Sequence, residues 1–409
     1  MTIRWITDQL GTSPWKEELF DNPFSVVDVR LLRDASGNSP ELVLEKITTA
    51  LDNLNDGKRV VICCDHGISR SNAIAACVLS KVKSIGLEEA LQQVISATGE
   101  TGIKIDFVQD LRQVLGVSLT SATDPNVLVL GLDGLVGRTI CKALCTDQLY
   151  YNIESNHELL WNPVLLDAAM QQSACNHILF CWHPRGLDTN TAAGQLITVL
   201  RNVLEVCRVR EAGIVFLSGQ QVFSGCREVG LSSYGEADEL SPASAAGYGL
   251  FLAELLLQQY TKSYGLCTLI VRTSYVYGPG DERPWLVNTL IRKALDGEDI
   301  ITHRYCNGSP LIDLIHVDDL VNALLLAVQQ RLKGVLHVSA KDMITTGDLA
   351  EMIVRASGSR STLTSIDMPD DFRSVCLESR IGTAIPAWMP KVGLEEGLKG
   401  LINDFIKDN

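Results

Sequence analysis

Two short apolar runs, each followed by a turn of small residues and then a helical pattern, constrain this chain more than any other feature. The first is Arg59-Val60-Val61-Ile62-Cys63-Cys64, which leads into a loop and an Ala-rich helix predicted over Asn72–Lys81. The second is Asn126-Val127-Leu128-Val129-Leu130, which leads into a glycine-punctuated turn and another helix. A β-rich run that gives way to helical periodicity reads as the opening of an α/β unit. Between them, Val117-Ser118-Leu119-Thr120-Ser121-Ala122-Thr123-Asp124-Pro125 is polar and closed by proline, the natural place for a boundary. Beyond it, strand-like runs at Ile214–Ser218, Thr268–Arg272 and Val335–Val338 alternate with helical patterns. Such alternation predicts a parallel sheet covered by helices. The expected organisation is a domain at 1–118, a linker at 119–125 and a second domain at 126–409.

Length and charge narrow the function classes. A chain of 409 residues exceeds one ordinary core, so two or three domains are expected. Its 46% hydrophobic and 21% charged content is that of a soluble globular protein. A net charge of −14 argues against nucleic-acid and anionic-membrane partners, yet leaves room for a local positive pocket. The run Leu320–Val328 is too short to span a bilayer, and the start Met-Thr-Ile-Arg-Trp lacks the basic and apolar regions of a secretory signal. The twelve cysteines are scattered, with Cys77, Cys181 and Cys267 inside apolar runs. With no spaced CxxC pair or Cys/His cluster, buried thiols in a reducing cytoplasm and no metal site are expected.

The first loop reads Cys64-Asp65-His66-Gly67-Ile68-Ser69-Arg70-Ser71. Between a strand and a helix N-terminus, its backbone N–H groups can converge on one anion. The same field favours the thiolate of Cys64, the nucleophilic form. Arg70 can grip two phosphate oxygens at once, Gly67 lets the backbone approach the ligand, and Ser71 can donate a hydrogen bond to the departing sulfur.

This loop resembles the Cys-x5-Arg-Ser/Thr signature of the protein-tyrosine and dual-specificity phosphatases, and the resemblance covers about residues 1–118. Gly86-Leu87-Glu88-Glu89-Ala90 looks like that family's next helix start, and Val26–Asp34 looks like the strand and loop that deliver its general acid. The resemblance implies that Cys64 attacks phosphorus, Arg70 and the loop amides hold the phosphoryl oxygens, and Asp34 protonates the leaving group. Asp28 is the alternative acid, and His66 would shape substrate choice. Cys63 stands where the family has a histidine; a bond between the vicinal Cys63 and Cys64 would be strained.

The second loop spaces Gly131, Gly134 and Gly137 three apart. Such glycines allow a tight turn, close approach to a pyrophosphate and close helix–strand packing. With the segments Val215–Phe223, Tyr248-Gly249, Val271–Gly280 and Ile315–Leu320 following in order, residues 126–409 resemble the extended short-chain dehydrogenase/reductase family. The dTDP-4-dehydrorhamnose reductase group is the most similar. The resemblance implies NAD or NADP at Gly131, Gly134, Gly137 and Tyr248, a nucleotide sugar as ligand, and pairing into a homodimer through long helices. It departs at the chemistry. Leu252 stands where Tyr248 should be followed by lysine, and Gly219 and Gln220 replace a Thr-Asp pair beside Ser218. Lysine there lowers the tyrosine pKa and holds the nicotinamide ribose, so both effects are lost. Glu154 is the candidate ribose contact and Lys262 a candidate substitute lysine.

The expectation is therefore an α/β chain of two parts. A cysteine-phosphatase domain, acting on a phosphoprotein or a small phosphorylated metabolite without cofactor, precedes a doubly wound Rossmann-type parallel sheet with a small substrate subdomain. The alternatives are an NAD(P)-dependent nucleotide-sugar reductase or epimerase with an accessory phosphatase domain, and a regulatory protein that only binds ligands.

Overall fold

The structure is a computed structural model that describes residues 3–117, 126–144, 160–184, 189–226, 228–379, 381–385 and 388–407. The expected linker at 119–125 and the Tyr150–Glu154 strand, with Glu154, lie outside the described residues. The chain divides into two compact units. One comprises Met1–Thr123, Asn156–Asn176 and Arg201–Ala212; the other comprises Asp124–Ser155, His177–Leu200 and Gly213–Asn409. The first unit thus draws on two stretches beyond the 119–125 linker.

In the first unit, strands β1 (Arg4–Trp5), β2 (Leu10–Pro14), β3 (Ser25–Asp28) and β4 (Val60–Cys64) form one sheet in the order β1-β2-β4-β3. The β4 sequence Val-Val-Ile-Cys-Cys is buried on both faces, which is why it reads as an unbroken apolar run. It lies parallel to both β2 and β3, while β1 closes the edge antiparallel to β2. Helix α1 (Pro40–Asn55) starts where the Ser39 hydroxyl accepts the Leu42 N–H and Pro40 supplies a preset φ.

Helix α2 (Arg70–Lys83) follows the Cys64 loop directly, and Ser71–Leu79 are all buried because strands and helices enclose it. Helices α3 (Leu87–Thr98) and α4 (Ile105–Leu115) complete the layer. The helix Pro163–Ser173 belongs to this unit for a physical reason. Its Val164 and Leu165 join the core of α2, α3 and α4, and its Asp167 forms ion pairs with Arg112 of α4 and Arg210.

Among the described residues, the second unit is built on a parallel sheet of five strands, in the order 334–338, 268–273, 213–219, 177–180 and 127–130. Its strands are β5 (Val127–Leu130), β6 (His177–Phe180), β7 (Gly213–Gly219), β9 (Thr268–Thr273) and β13 (Gly334–Val338). Each is a short apolar run, as a sheet covered on both faces requires. Helix α5 (Leu135–Leu144) follows β5 and buries Leu135, Val136 and Ile140 against the sheet.

A smaller core, centred on Tyr277, Ile291, Leu314, Leu349 and Leu398, packs the helices Leu286–Asp296, Thr346–Ser357 and Leu394–Lys407 around β12 (Leu311–His316). The apolar run Leu320–Val328 lies inside the helix Val317–Gln329. Among the described residues no helix is long and apolar enough to cross a membrane.

Candidate functional site

Each unit carries one candidate site, at the turn that follows a buried strand. In the first, the chain leaves β4 at Cys64 and re-enters regular structure at Arg70. Gly67 sits at φ +67°, and a Cβ there would lie 2.4 Å from the Pro14 nitrogen, so the curl of the loop requires glycine. Asn72 braces the curl from inside α2. Its amide donates to the carbonyls of Gly67 (3.1 Å) and Ile68 (2.7 Å), and its oxygen accepts from Thr12 (2.7 Å). Arg4 adds a bond to the Gly67 carbonyl. Neither Asn72 nor Arg4 stood out in the sequence, because bracing residues carry no spacing signal.

Within this loop Cys64 is 2% exposed, and its Sγ lies 3.3 Å from the Ser71 hydroxyl. Asp34 reaches the loop from the segment after β3. The Ser69 hydroxyl donates to its carboxylate (2.5 Å) and accepts from the Lys104 N–H (3.0 Å). Arg70 points back beneath the same segment. Its Nη1 donates to the carbonyls of Arg30 and Leu32, each at 2.9 Å, and its Nη2 pairs with the Asp65 carboxylate. Both arms of the fork that the sequence pattern predicts for phosphate oxygens are thus engaged by the protein itself.

His66 and Ile68 lie exposed on the outer rim. Asp28, the alternative acid, ends β3. Burial pushes its carboxyl up, but the bonds and charge of Arg30 outweigh that and hold it below its ordinary value. Cys63 faces the opposite side of β4, in a separate cluster with Leu19 and Val61. Both thiols are free, in keeping with the strain that a bond between these neighbours would carry. Burial, reinforced by the Asp28 charge, pushes the Cys63 thiol up to about 12. Among the described residues, no three or more His, Cys, Asp or Glu side chains are grouped to hold a metal ion.

The second site opens at the end of β5. Gly131 adopts φ +106°, and a Cβ on it would lie 2.5 Å from the Trp182 nitrogen. A Cβ on Gly137 would lie 2.1 Å from the Gly131 carbonyl oxygen, so α5 presses against the turn as closely as two backbones can. Gly134 differs, since its nearest neighbour would be 3.4 Å away, leaving the approach to the α5 N-terminus clear. Such a cradle fits a pyrophosphate. Arg138 fixes the turn from α5, donating to the carbonyls of Asp133 and Gly280, both at 2.7 Å.

The neighbouring strand ends contain what the sequence did not reveal. The Ser218 hydroxyl donates to Glu254 (2.6 Å), so it is committed to a buried carboxylate. Glu254 also receives Arg272 through Nε and Nη2, and the Arg272 Nη1 lies 3.3 Å from the His337 Nε2. Burial, with the Arg272 charge adding to it, lowers the His337 imidazole to about 4. A charged residue inside the apolar run Thr268–Arg272 was the available signal for a buried ion pair. Gly219 faces Thr273 across β7 and β9, and Gln220 follows it. Among the described residues, the buried side-chain oxygens Gln220 Oε1 and Thr273 Oγ1 have no hydrogen-bond partner. Both stand at the C-terminal ends of the strands, where ligands of such sheets bind.

Tyr248 lies in the first turn of the helix Ala245–Tyr264, whose N-terminus is capped by Ser244. Tyr248 is 52% exposed and Leu252, one turn on, is 48% exposed. Lys262 lies fourteen residues along the same helix, about 21 Å away at 1.5 Å per residue. It therefore cannot replace the missing lysine. The helix Val317–Gln329 begins at His316, and Asp319 accepts the N–H groups of Lys391 and Val392, tying it to the C-terminal segment.

A parallel sheet with a glycine turn at the end of its first described strand defines a Rossmann-type protein. Residues 127–338 match the NAD dependent epimerase/dehydratase family, and the chain belongs to it. Among curated proteins it is similar to a putative UDP-glucose 4-epimerase of Methanocaldococcus jannaschii, 25% identical over 51% of this chain and 68% of that protein. It is also similar to UDP-glucuronic acid decarboxylase 3 of Arabidopsis thaliana, 26% identical over 42% of this chain, and spans only 51% of that relative's length. Solved structures share the fold, among them two sugar-nucleotide enzymes. The UDP-glucose 4-epimerase of Thermotoga maritima has a TM-score of 0.58 at 21% identity, covering 69% of this chain and 99% of that one. The dTDP-glucose 4,6-dehydratase of Bacillus anthracis has a TM-score of 0.60 at 18% identity, covering 70% and 97%.

Proposed function

We propose that the second unit binds NAD or NADP together with a nucleotide sugar and acts in the manner of the epimerase/dehydratase family. The observation that carries this reading is the turn Gly131–Gly137, where two glycines are required by contact and Gly134 leaves the helix N-terminus open. A dinucleotide held there would have its pyrophosphate on the N–H groups of the turn and the start of α5, and would supply hydride chemistry to a bound sugar. Gln220 and Thr273 would offer their buried oxygens to the ligand, and Tyr248 is the proton-handling group on the nearby helix. The relatives include a putative UDP-glucose 4-epimerase and a UDP-glucuronic acid decarboxylase, which supports a nucleotide sugar as the second ligand. Calorimetric titration with NAD, NADP and UDP-glucose tests the reading. Micromolar binding of a dinucleotide that is lost in Gly134→Asp is expected, and no binding of any of the three would sink it.

A second reading has its own observation. The Cys64 sulfur lies 3.3 Å from the Ser71 hydroxyl at the start of α2, with Asp34 and Arg70 joined to the same loop. We infer that the first unit is a cysteine-dependent phosphomonoester hydrolase, in which the Cys64 thiolate attacks phosphorus and Asp34 protonates the leaving oxygen. Ser71 then stabilises the sulfur as water releases phosphate. Hydrolysis of p-nitrophenyl phosphate under reducing conditions, abolished in Cys64→Ser, is the expected result. Equal turnover by the two proteins would remove Cys64 from the chemistry.

A further inference from the structure

The arginine of the first loop is already engaged. Nη1 anchors the Arg70 guanidinium to the carbonyls of Arg30 and Leu32, and Nη2 pairs with Asp65. Asp65 is the residue directly after Cys64, at the mouth of the loop and half exposed. A carboxylate on a guanidinium makes the same charge-assisted bonds that a phosphoryl group makes, so the two compete for one arm of the fork. The nearby carboxylate Asp28 is not a competitor, because Arg30 holds it in a bidentate pair while stacking on the Trp15 ring at 4.1 Å.

We propose that Asp65 is an internal ligand of the oxyanion seat, occupying the Nη2 arm of Arg70 until a tetrahedral oxyanion displaces it. The proposal rests on the phosphomonoester reading of the first unit. The Asp65 carboxylate is well held in this position. The Arg70 hydrogen bond, then the charges of Arg70, Arg30 and His66, hold the Asp65 carboxyl below its ordinary value despite partial desolvation. An incoming oxyanion gains the loop amides and the α2 N-terminus, which the Asp65 side chain does not use in this arrangement. Displaced, Asp65 swings to solvent, and its residual repulsion opposes the anion. Asp65 therefore sets how tightly the seat takes its ligand, without touching the reacting atoms.

The test is calorimetric titration of the full chain with tungstate, in wild type, Asp65→Asn and Asp65→Ser, with thermal unfolding as the check on folding. Loss of the competing carboxylate is expected to tighten tungstate binding by about tenfold in both variants. The KM for p-nitrophenyl phosphate should fall in parallel. Equal or weaker tungstate binding in a folded variant overturns the proposal and leaves the phosphomonoester reading standing, since wild type still binds. Failure of tungstate to bind any of the three proteins overturns both. Should Asp65→Asn fail to fold, Asp65→Ser decides by the same readout.

Discussion

Gly137 packs so closely beneath Gly131 that a Cβ on the first would lie 2.1 Å from the carbonyl oxygen of the second. No side chain can be added there without moving α5 away from β5. Gly137→Val should cost about 1–3 kcal/mol, the usual penalty for overpacking. It should also open the turn, so dinucleotide affinity falls with stability. Gly134→Ala is the contrasting variant. Its Cβ would have 3.4 Å of room, so folding should stay near wild type and only ligand affinity should drop. Urea unfolding of both variants, alongside NAD titration, separates the two effects.

Asp167 lies between two arginines, with its Oδ2 2.5 Å from Arg112 and its Oδ1 3.2 Å from Arg210. The three side chains are at most 3% exposed, and Arg112 also reaches Glu88 at 3.1 Å. Removing the central charge takes from Arg210 the carboxylate it pairs with and leaves Arg112 with Glu88 alone, in a dry interior. Asp167→Asn should therefore destabilise the first unit by about 3–5 kcal/mol. A fall in the urea midpoint that spares NAD binding is the expected outcome. A fragment ending at residue 118 lacks Asp167 altogether and should be less stable still.

What the sequence displayed and what it hid follow one physical division. The strands β4, β5, β7, β9 and β13 were legible because each is a continuous apolar run that ends in a turn residue. The Cys64–Ser71 loop and the glycine turn were legible because their groups are contiguous in the chain. Contacts between distant positions were not. Nothing local to Asp167 announces Arg112 and Arg210, and nothing local to Ser218 announces that Glu254 will take its hydroxyl. Within the first loop even a short separation misled, since Arg70 read as an open fork until the curl of the chain brought Asp65 against it. Tyr248 and Leu252 were placed on one helix face by their spacing, but their exposure was not foreseeable from it.

His337 predicts how the second unit responds to acid. Burial and the Arg272 charge lower its imidazole from 6.5 to about 4, against weaker opposing effects from Glu236 and the backbone of Glu378 and Tyr234. The folded state therefore keeps it neutral in a range where the unfolded chain takes up a proton. Its contribution to stability is complete above about pH 6.5 and is lost as pH falls toward 4. Unfolding midpoints measured between those limits should decline with acid, and His337→Asn should flatten that decline. An equally steep fall in the variant would assign the acid sensitivity to other groups.

Leu252 offers the most direct trial of the second unit's chemistry. It stands four residues after Tyr248 on the helix Ala245–Tyr264, so the two side chains share a face one turn apart. Both are about half exposed, and a longer, charged side chain at 252 would meet no buried wall. In Leu252→Lys the ammonium would lie beside the Tyr248 hydroxyl, where a positive charge favours the phenolate and makes the tyrosine a better base near neutral pH. If the glycine turn binds NAD as proposed, nucleotide-sugar-dependent reduction of NAD should rise at least about tenfold over wild type, the lower range of a general-base contribution being about a hundredfold. The double variant Tyr248→Phe with Leu252→Lys should lose that gain. A gain that survives without the tyrosine hydroxyl would mean that the lysine acts through cofactor binding alone, and titration of NAD against both proteins would then show the affinity change that accounts for it.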